Sequence, residues 1–266
     1  KPKQNYLELN YQTNIKIYWK QKERNMGRFD NYLFRCSSLG KIWSKAGDIT
    51  QGNLTYLREL FIEAIYDVKK EVTTKYFEKG KFTEEDGITM LQNTLHKNKL
   101  IRKNKERKKN DFISGECDVD ILEWIYDNKA AYDLLTFGKA SLSTDYFLQL
   151  HGYMWLWNKT KSRLFYSLNN TPEHMIVDEE RKLFYKGGFL TMESPDYLDA
   201  CIELRALHNY DHMPLETRFK MWEVEYDPEI IEKLKVKIEK CRKKMNEMYD
   251  EYISHIENNK KLMGIL

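Results

Sequence analysis

The residues best equipped for chemistry lie in one short stretch: Gly115-Glu116-Cys117-Asp118, then, nine positions beyond Asp118, Asp127-Asn128-Lys129. In an extended strand, residues two apart share a face, so Asp127 and Lys129 project together while Asn128 points to the other side. An antiparallel partner strand carrying Asp118 would bring it beside Asp127, and two carboxylates and a lysine would converge. That set suits phosphodiester hydrolysis. Carboxylate oxygens are hard ligands for Mg²⁺ or Mn²⁺, and the bound ion acidifies its water and offsets charge on the reacting phosphate. The lysine ammonium, a compact point charge, orients the nucleophile or helps deprotonate it. The backbone carbonyl of Asn128, between the two side chains, offers a further oxygen. The plainer alternative for Asp-x-Lys alone is an ion pair on an exposed strand.

Elements that would position these groups can be read outward from them. Residues 112–115, 117–121, 124–129 and 163–168 have strand composition, while 147–157, 172–184, 195–209 and 227–259 have helical spacing. Upstream, apolar residues from Leu57 to Val68 predict one long helix from Leu54 to about Phe77, stopped at Gly80. A second helix is expected from a Thr83 cap to Leu95, with Glu84, Glu85 and Asp86 in its first turn. Complementing the helix dipole is the plain role for those acids. Tyr32 to Cys36 reads as a short strand. Ser37-Ser38 reads as the capped start of a helix, whose N-terminus attracts phosphate. Residues 97–109 carry eight Lys or Arg against a single acid, Glu106, which suits either a solvated face or a phosphate backbone. The simplest architecture is one α/β core with a helical C-terminal addition: an extension over 1–30, a catalytic domain over 31–226 and a C-terminal helix over 227–266 packing on the core.

Composition narrows the class. The 266 residues are 41% hydrophobic and 14% aromatic, too apolar for a disordered chain, and 44 Lys+Arg against 41 Asp+Glu leave a net charge of only +3. Cys36, Cys117, Cys201 and Cys241 are dispersed without a CxxC pair, which argues against a zinc ribbon or iron–sulfur site and for reduced thiols. No apolar run reaches the roughly 20 residues of a membrane span, and no secretory signal opens the chain, so a cytoplasmic protein is expected. No Gly-rich nucleotide loop is present, so no ATP requirement is expected.

Taken in order, Glu84 shortly after Lys79-Gly80, Gly115-x-x-Asp118, Asp127-x-Lys129 and Gln149-Leu-His-Gly-Tyr153 resemble the motifs of the PD-(D/E)xK nucleases. With Phe34 to Gly40, Tyr146 to Trp155 and Thr171 to His174, the chain most resembles the phage-type exonucleases of the lambda exonuclease and YqaJ-like recombinase group, over roughly residues 30–245. The resemblance implies a restriction-endonuclease-like core, a central mixed β-sheet flanked by helices. It also implies Mg²⁺-dependent digestion of linear duplex DNA, 5′ to 3′, leaving 3′ overhangs for phage-type recombination in a bacterial host, with Mn²⁺ substituting. Carried over residue by residue, Asp118 and Asp127 bind metal, Lys129 is the catalytic lysine and Glu84 (Glu85 if the register is one off) is the helix acid. Gln149 and Tyr153 contact DNA, and Arg35 with Ser37 or Ser38 holds a terminal 5′-phosphate. A single-strand annealing protein and a ring-shaped homotrimer are the implied partners. Two departures stand out: Asn128 and Ala130, where relatives often carry an aliphatic residue and a Ser or Thr, and an apolar turn at Ile121, Leu122 and Trp124. A nicking endonuclease of the same fold and a non-catalytic DNA-binding protein are the competing expectations. Tyr146, Phe147, Trp155 and Trp157 are expected in the core, with Tyr153 the exception; His151 is expected to be structural or near DNA, and His208 and His212 to lie in a turn rather than to bind metal from one helix face.

Overall fold

The computed structural model describes residues 29–68 and 74–264; the expected N-terminal extension lies almost wholly outside them. By its internal contacts the chain falls into two compact units. One contains, among described residues, 29–32, 44–68 and 236–264, and the other 33–43 and 74–235. The expected sequence boundaries at 30 and 226 therefore do not coincide with the contact boundaries.

The larger unit carries the candidate chemistry. Its main sheet has four strands, β4 (Val119–Ile121), β5 (Trp124–Ala130), β6 (Lys161–Ser167) and β7 (Phe219–Glu225), in that spatial order. β4 and β5 are antiparallel, β5 and β6 parallel, and β6 and β7 antiparallel, so the sheet is mixed. A parallel pair needs a crossover, supplied here by α5 (Leu134–Lys139) and α6 (Thr144–Trp157). Alternation along β6 assigns its side chains to two cores. Leu164 packs with Leu150 and Met154 of α6 and with Val224. Phe165 packs with Tyr126 and with Ile88 and Leu91 of α4 (Glu84–Leu95). The sheet is thus covered on both faces, and each fully buried residue of this size contributes roughly 1.5–3 kcal/mol.

A second sheet orders β1 (Phe34–Arg35), β3 (Ile113–Gly115) and β2 (Lys108–Lys109). Gly115 is required there by close approach: a Cβ would lie 2.6 Å from Cys36 Sγ and 2.9 Å from Tyr153 Cε1. Gly152 on α6 likewise makes room for Cys36 and Leu39. The β4–β5 hairpin explains its apolar turn, since Ile121 and Trp124 pack against the Val119–Tyr126 core cluster. Leu122 is exposed with φ 55°, its carbonyl accepting a hydrogen bond from Lys159 Nζ at 2.5 Å.

Several local expectations need correction. The long upstream helix is shorter: α2 (Gln51–Tyr66) starts at a Thr50–Asn53 capping box and ends at Asp67, which is left-handed at φ 56°. Gly80 stops nothing; it lies inside α3 (Lys75–Phe82), where a glycine is merely a weak helix former. Thr83 does not cap α4, because its hydroxyl donates to the Lys79 carbonyl. Ser38 precedes α1 (Leu39–Ile42) with no side-chain cap bond, and that helix is a single turn. Strand β7 was not anticipated. Downstream, α7 (Glu173–Gly187) and α8 (Pro195–His208) fall where expected.

The smaller unit joins α2 to residues 236–262 of the long helix α9 (Pro228–Leu262). Phe61 meets Phe29 and Tyr252 at ring distances of 5.7 and 6.0 Å, and Asn246 Oδ1 accepts the Phe29 N–H at 2.7 Å. The buried stripe of α9 runs Ile231, Leu234, Ile238, Cys241, Met245, one residue off the expected start at Ile230. Among described residues no helix is long and apolar enough to cross a membrane. All four cysteines are free and buried.

Candidate active site

The register Val119↔Tyr126 places Asp118, the residue just before β4 begins, opposite Asp127. Beyond the paired residues of β4, the Asn128 N–H has no strand partner on that edge, and it donates to Asp118 Oδ2 at 2.6 Å. Asp127 and Lys129 project from one face, as the period of two requires, and form an ion pair of 2.7 Å. Asn128 points to the other face, its Nδ2 reaching the Glu84 carbonyl at 3.4 Å. The side chain fits there because Gly87 of α4 has no Cβ; one would lie 2.3 Å from Asn128 Nδ2.

Asp127 is 1% exposed. Its Oδ1 accepts from Gln149 Nε2 at 3.1 Å, while its buried Oδ2 pairs with Lys129 Nζ at 2.7 Å. Burial and the neighbouring Asp127 charge push the Asp118 carboxyl up to about 7, against the pull of Lys129 and the Asn128 N–H. Burial works to lower Lys129, but Asp127 and Asp118 outweigh it and hold the ammonium above its ordinary range. The ammonium is thereby favoured over the neutral amine. Its Nζ stands 5.5 Å from the centre of the Tyr146 ring.

These groups open into a cleft of about 650 Å³ at the C-terminal end of β5, lined by Glu84, Asp118, Asn128 and Lys129 and walled by α3. Glu84 faces the cleft, whereas Glu85 is exposed outside it beside Arg102 and Lys103. Glu84 is held by Lys103, with Nζ to Oε2 at 2.5 Å. Among described residues no three acidic, His or Cys side chains stand close enough together to hold a metal ion as they are. Even so, the donors present suit a hard divalent cation. Asp118 lines the cleft with buried Asp127 opposite it, and burial and the Asp127 charge disfavour ionisation of Asp118, a penalty that a divalent cation would offset.

Other expected site residues lie elsewhere. Gln149 and Tyr153 are 6% and 5% exposed and stand behind Asp127, and Gln149 Nε2 also donates to the Tyr153 hydroxyl at 2.8 Å. Gln149 Nε2 and the Tyr153 hydroxyl are thus engaged within the protein, an arrangement that positions Asp127. Arg35, Ser37 and Ser38 are not among the residues lining the cleft, and the one-turn helix after them is no anchor for a phosphate. Tyr146, expected in the core, faces the cleft together with Lys81, Tyr132 and Tyr166. Its signal was available: Tyr146 lies three and seven residues before Gln149 and Tyr153, on one face of α6. His151 is structural, accepting the Asp227 N–H at Nε2 with Nδ1 on the Phe147 carbonyl. His208 pairs with Thr171 at 2.9 Å.

No protein-family model and no curated protein matches the chain. Solved structures do. A phage-related exonuclease from Haemophilus somnus 129PT superposes with a TM-score of 0.67 at 25% identity, covering 84% of this chain and 97% of that one. The chain has the restriction-endonuclease-like fold. An alkaline exonuclease from Laribacter hongkongensis, LHK-Exo, superposes at 0.57 with 10% identity, covering 86% and 95%. The same enzyme in complex with dAMP gives 0.56 at 10% identity, covering 85% and 94%. The neighbours of this fold are thus phage-related and alkaline exonucleases.

Proposed function

We propose that this chain is a metal-dependent DNA exonuclease of the PD-(D/E)xK type, similar to the phage-type and YqaJ-like group, digesting linear duplex 5′ to 3′. The observation that carries the reading is the convergence of Asp118, Asp127 and Lys129 at the end of an antiparallel hairpin, in a fold shared with exonucleases. A neighbour's binding of dAMP supports a nucleotide-sized ligand for the cleft.

Asp118 and Asp127 would hold Mg²⁺, or Mn²⁺ in its place, with Glu84 and the Asn128 carbonyl as further oxygens. N–H and C=O of one strand residue point the same way, so the Asn128 N–H bonded to Asp118 directs its carbonyl to that same open edge. When bound, the ion supplies an acidified water and offsets phosphate charge. The chain's own residues do the rest. Lys129, fully charged, holds a phosphate oxygen or the attacking water. Asp127 is kept in place by Gln149, and Gln149 by Tyr153. The Asn128 N–H fixes Asp118. Product overhangs would feed strand annealing, with a single-strand annealing protein and a homotrimeric ring as the expected assembly.

Incubation of the purified chain with linear and with covalently closed duplex, with Mg²⁺ and with chelator, tests this reading. Degradation of the linear form alone, lost in Lys129→Ala by about 10²-fold or more, is expected. Cutting of closed circles would favour an endonuclease, and undiminished activity in Lys129→Ala would overturn the site.

A further inference from the structure

Within the cationic stretch 97–109, Lys103 is set apart by its surroundings. Two anchors fix its backbone beside the acids. The Ile101 N–H donates to Gln92 Oε1 of α4 at 2.8 Å. The Asn104 N–H donates to the Asp118 carbonyl at 2.7 Å, and Asn104 Nδ2 to the Cys117 carbonyl at 3.0 Å. From this fixed base the Lys103 side chain spans to the first residue of α4 and meets Glu84 Oε2 at 2.5 Å. The pair is only partly exposed, 34% and 26%. Glu84 lines the same cleft as Asp118, yet its carboxylate is paired with a resident ammonium, and among described residues it does not join the two aspartates in a three-acid group.

We propose that Lys103 is a positioning residue that holds Glu84 out of the metal centre and competes with the divalent cation for it. This rests on the reading of Glu84 as the third acid of the site. Joining Asp118 and Asp127 requires Glu84 to leave Lys103, so the ion pair is a cost that every metal-binding event meets. Its magnitude is that of a partly exposed pair with ideal distance, plus repulsion between the ammonium and the arriving cation. Removing Lys103 should therefore tighten metal binding roughly threefold or more.

Titration of Mn²⁺ alone into the metal-free chain, followed by calorimetry and by electron paramagnetic resonance of free Mn²⁺, reads this directly without activity. Lys103→Met is expected to bind Mn²⁺ roughly threefold or more tightly, and Lys103→Arg to behave as the native chain. Glu84→Gln should weaken binding, and Lys103→Met should tighten binding less in the Glu84→Gln background than in the native chain, because only the repulsion remains to be removed. If Glu84→Gln weakens binding while Lys103→Met leaves it unchanged or weaker, the competition is overturned and the site reading survives. If Glu84→Gln has no effect, Glu84 is not a ligand, and both fall.

Discussion

Gly87→Ala is the substitution whose effect can be worked most closely from the structure. Glycine to alanine inside a helix ordinarily stabilises, by about 0.5–1 kcal/mol. At position 87 the new methyl would lie 2.3, 2.7 and 2.9 Å from Nδ2, Oδ1 and Cγ of Asn128, all well inside contact distance. Asn128 has little room to yield, since it is 7% exposed and its N–H is bound to Asp118. Overpacking of this kind costs about 1–3 kcal/mol, so a net loss of about 1–2 kcal/mol is expected after the helix gain. The strain falls on the residue between Asp127 and Lys129, so nuclease activity should drop by more than stability alone explains. Urea denaturation gives the stability and single-turnover degradation of a linear duplex gives the activity. Asn128→Ala should relieve the clash, so Gly87→Ala in that background should be neutral or stabilising. A Gly87→Ala chain as stable and active as the native one would refute the packing argument.

Gln149→Leu would leave Asp127 Oδ1 and the Tyr153 hydroxyl without their shared partner. It should cost about 1–3 kcal/mol in thermal or urea unfolding and slow degradation about tenfold or more; unchanged kcat would remove the positioning role. Lys79 is fully buried, donating to the Tyr132 carbonyl at 2.8 Å, and burial lowers it to about 8 despite Asp133. Between about 8 and its unfolded value near 10.5 the unfolded chain holds the extra proton, so this group's contribution to stability rises with pH across that window and is flat below it. The stability advantage of Lys79→Met over the native chain should accordingly shrink by about 3 kcal/mol from pH 8 to 10.5. A pH-independent difference between the two chains would contradict the burial of a charged lysine.

Where local rules and tertiary context agreed, the sequence was legible. The period of two in β5 separates Asp127 and Lys129 from Asn128, and antiparallel pairing brings Asp118 to Asp127. What stayed hidden depends on contacts remote in sequence. Gly115 is needed because Cys36 and Tyr153 crowd it. Lys103 looked like one solvated cation among eight until the fold set Glu84 against it. Strand β7 is half-exposed along most of its length, so its alternation is blurred by polar and aromatic residues alike. The serines at 37 and 38 had the composition of a helix cap, but the chain turns after a single helical turn and uses neither side chain for one.

Diffraction from crystals soaked in Mn²⁺, collected for anomalous signal, tests the central claim most directly. The account predicts a peak between the carboxylates of Asp118 and Asp127, with Lys129 Nζ nearby and the Glu84 side chain released from Lys103. Mn²⁺ bound elsewhere on the chain, with the two aspartates bare at saturating concentration, would contradict it.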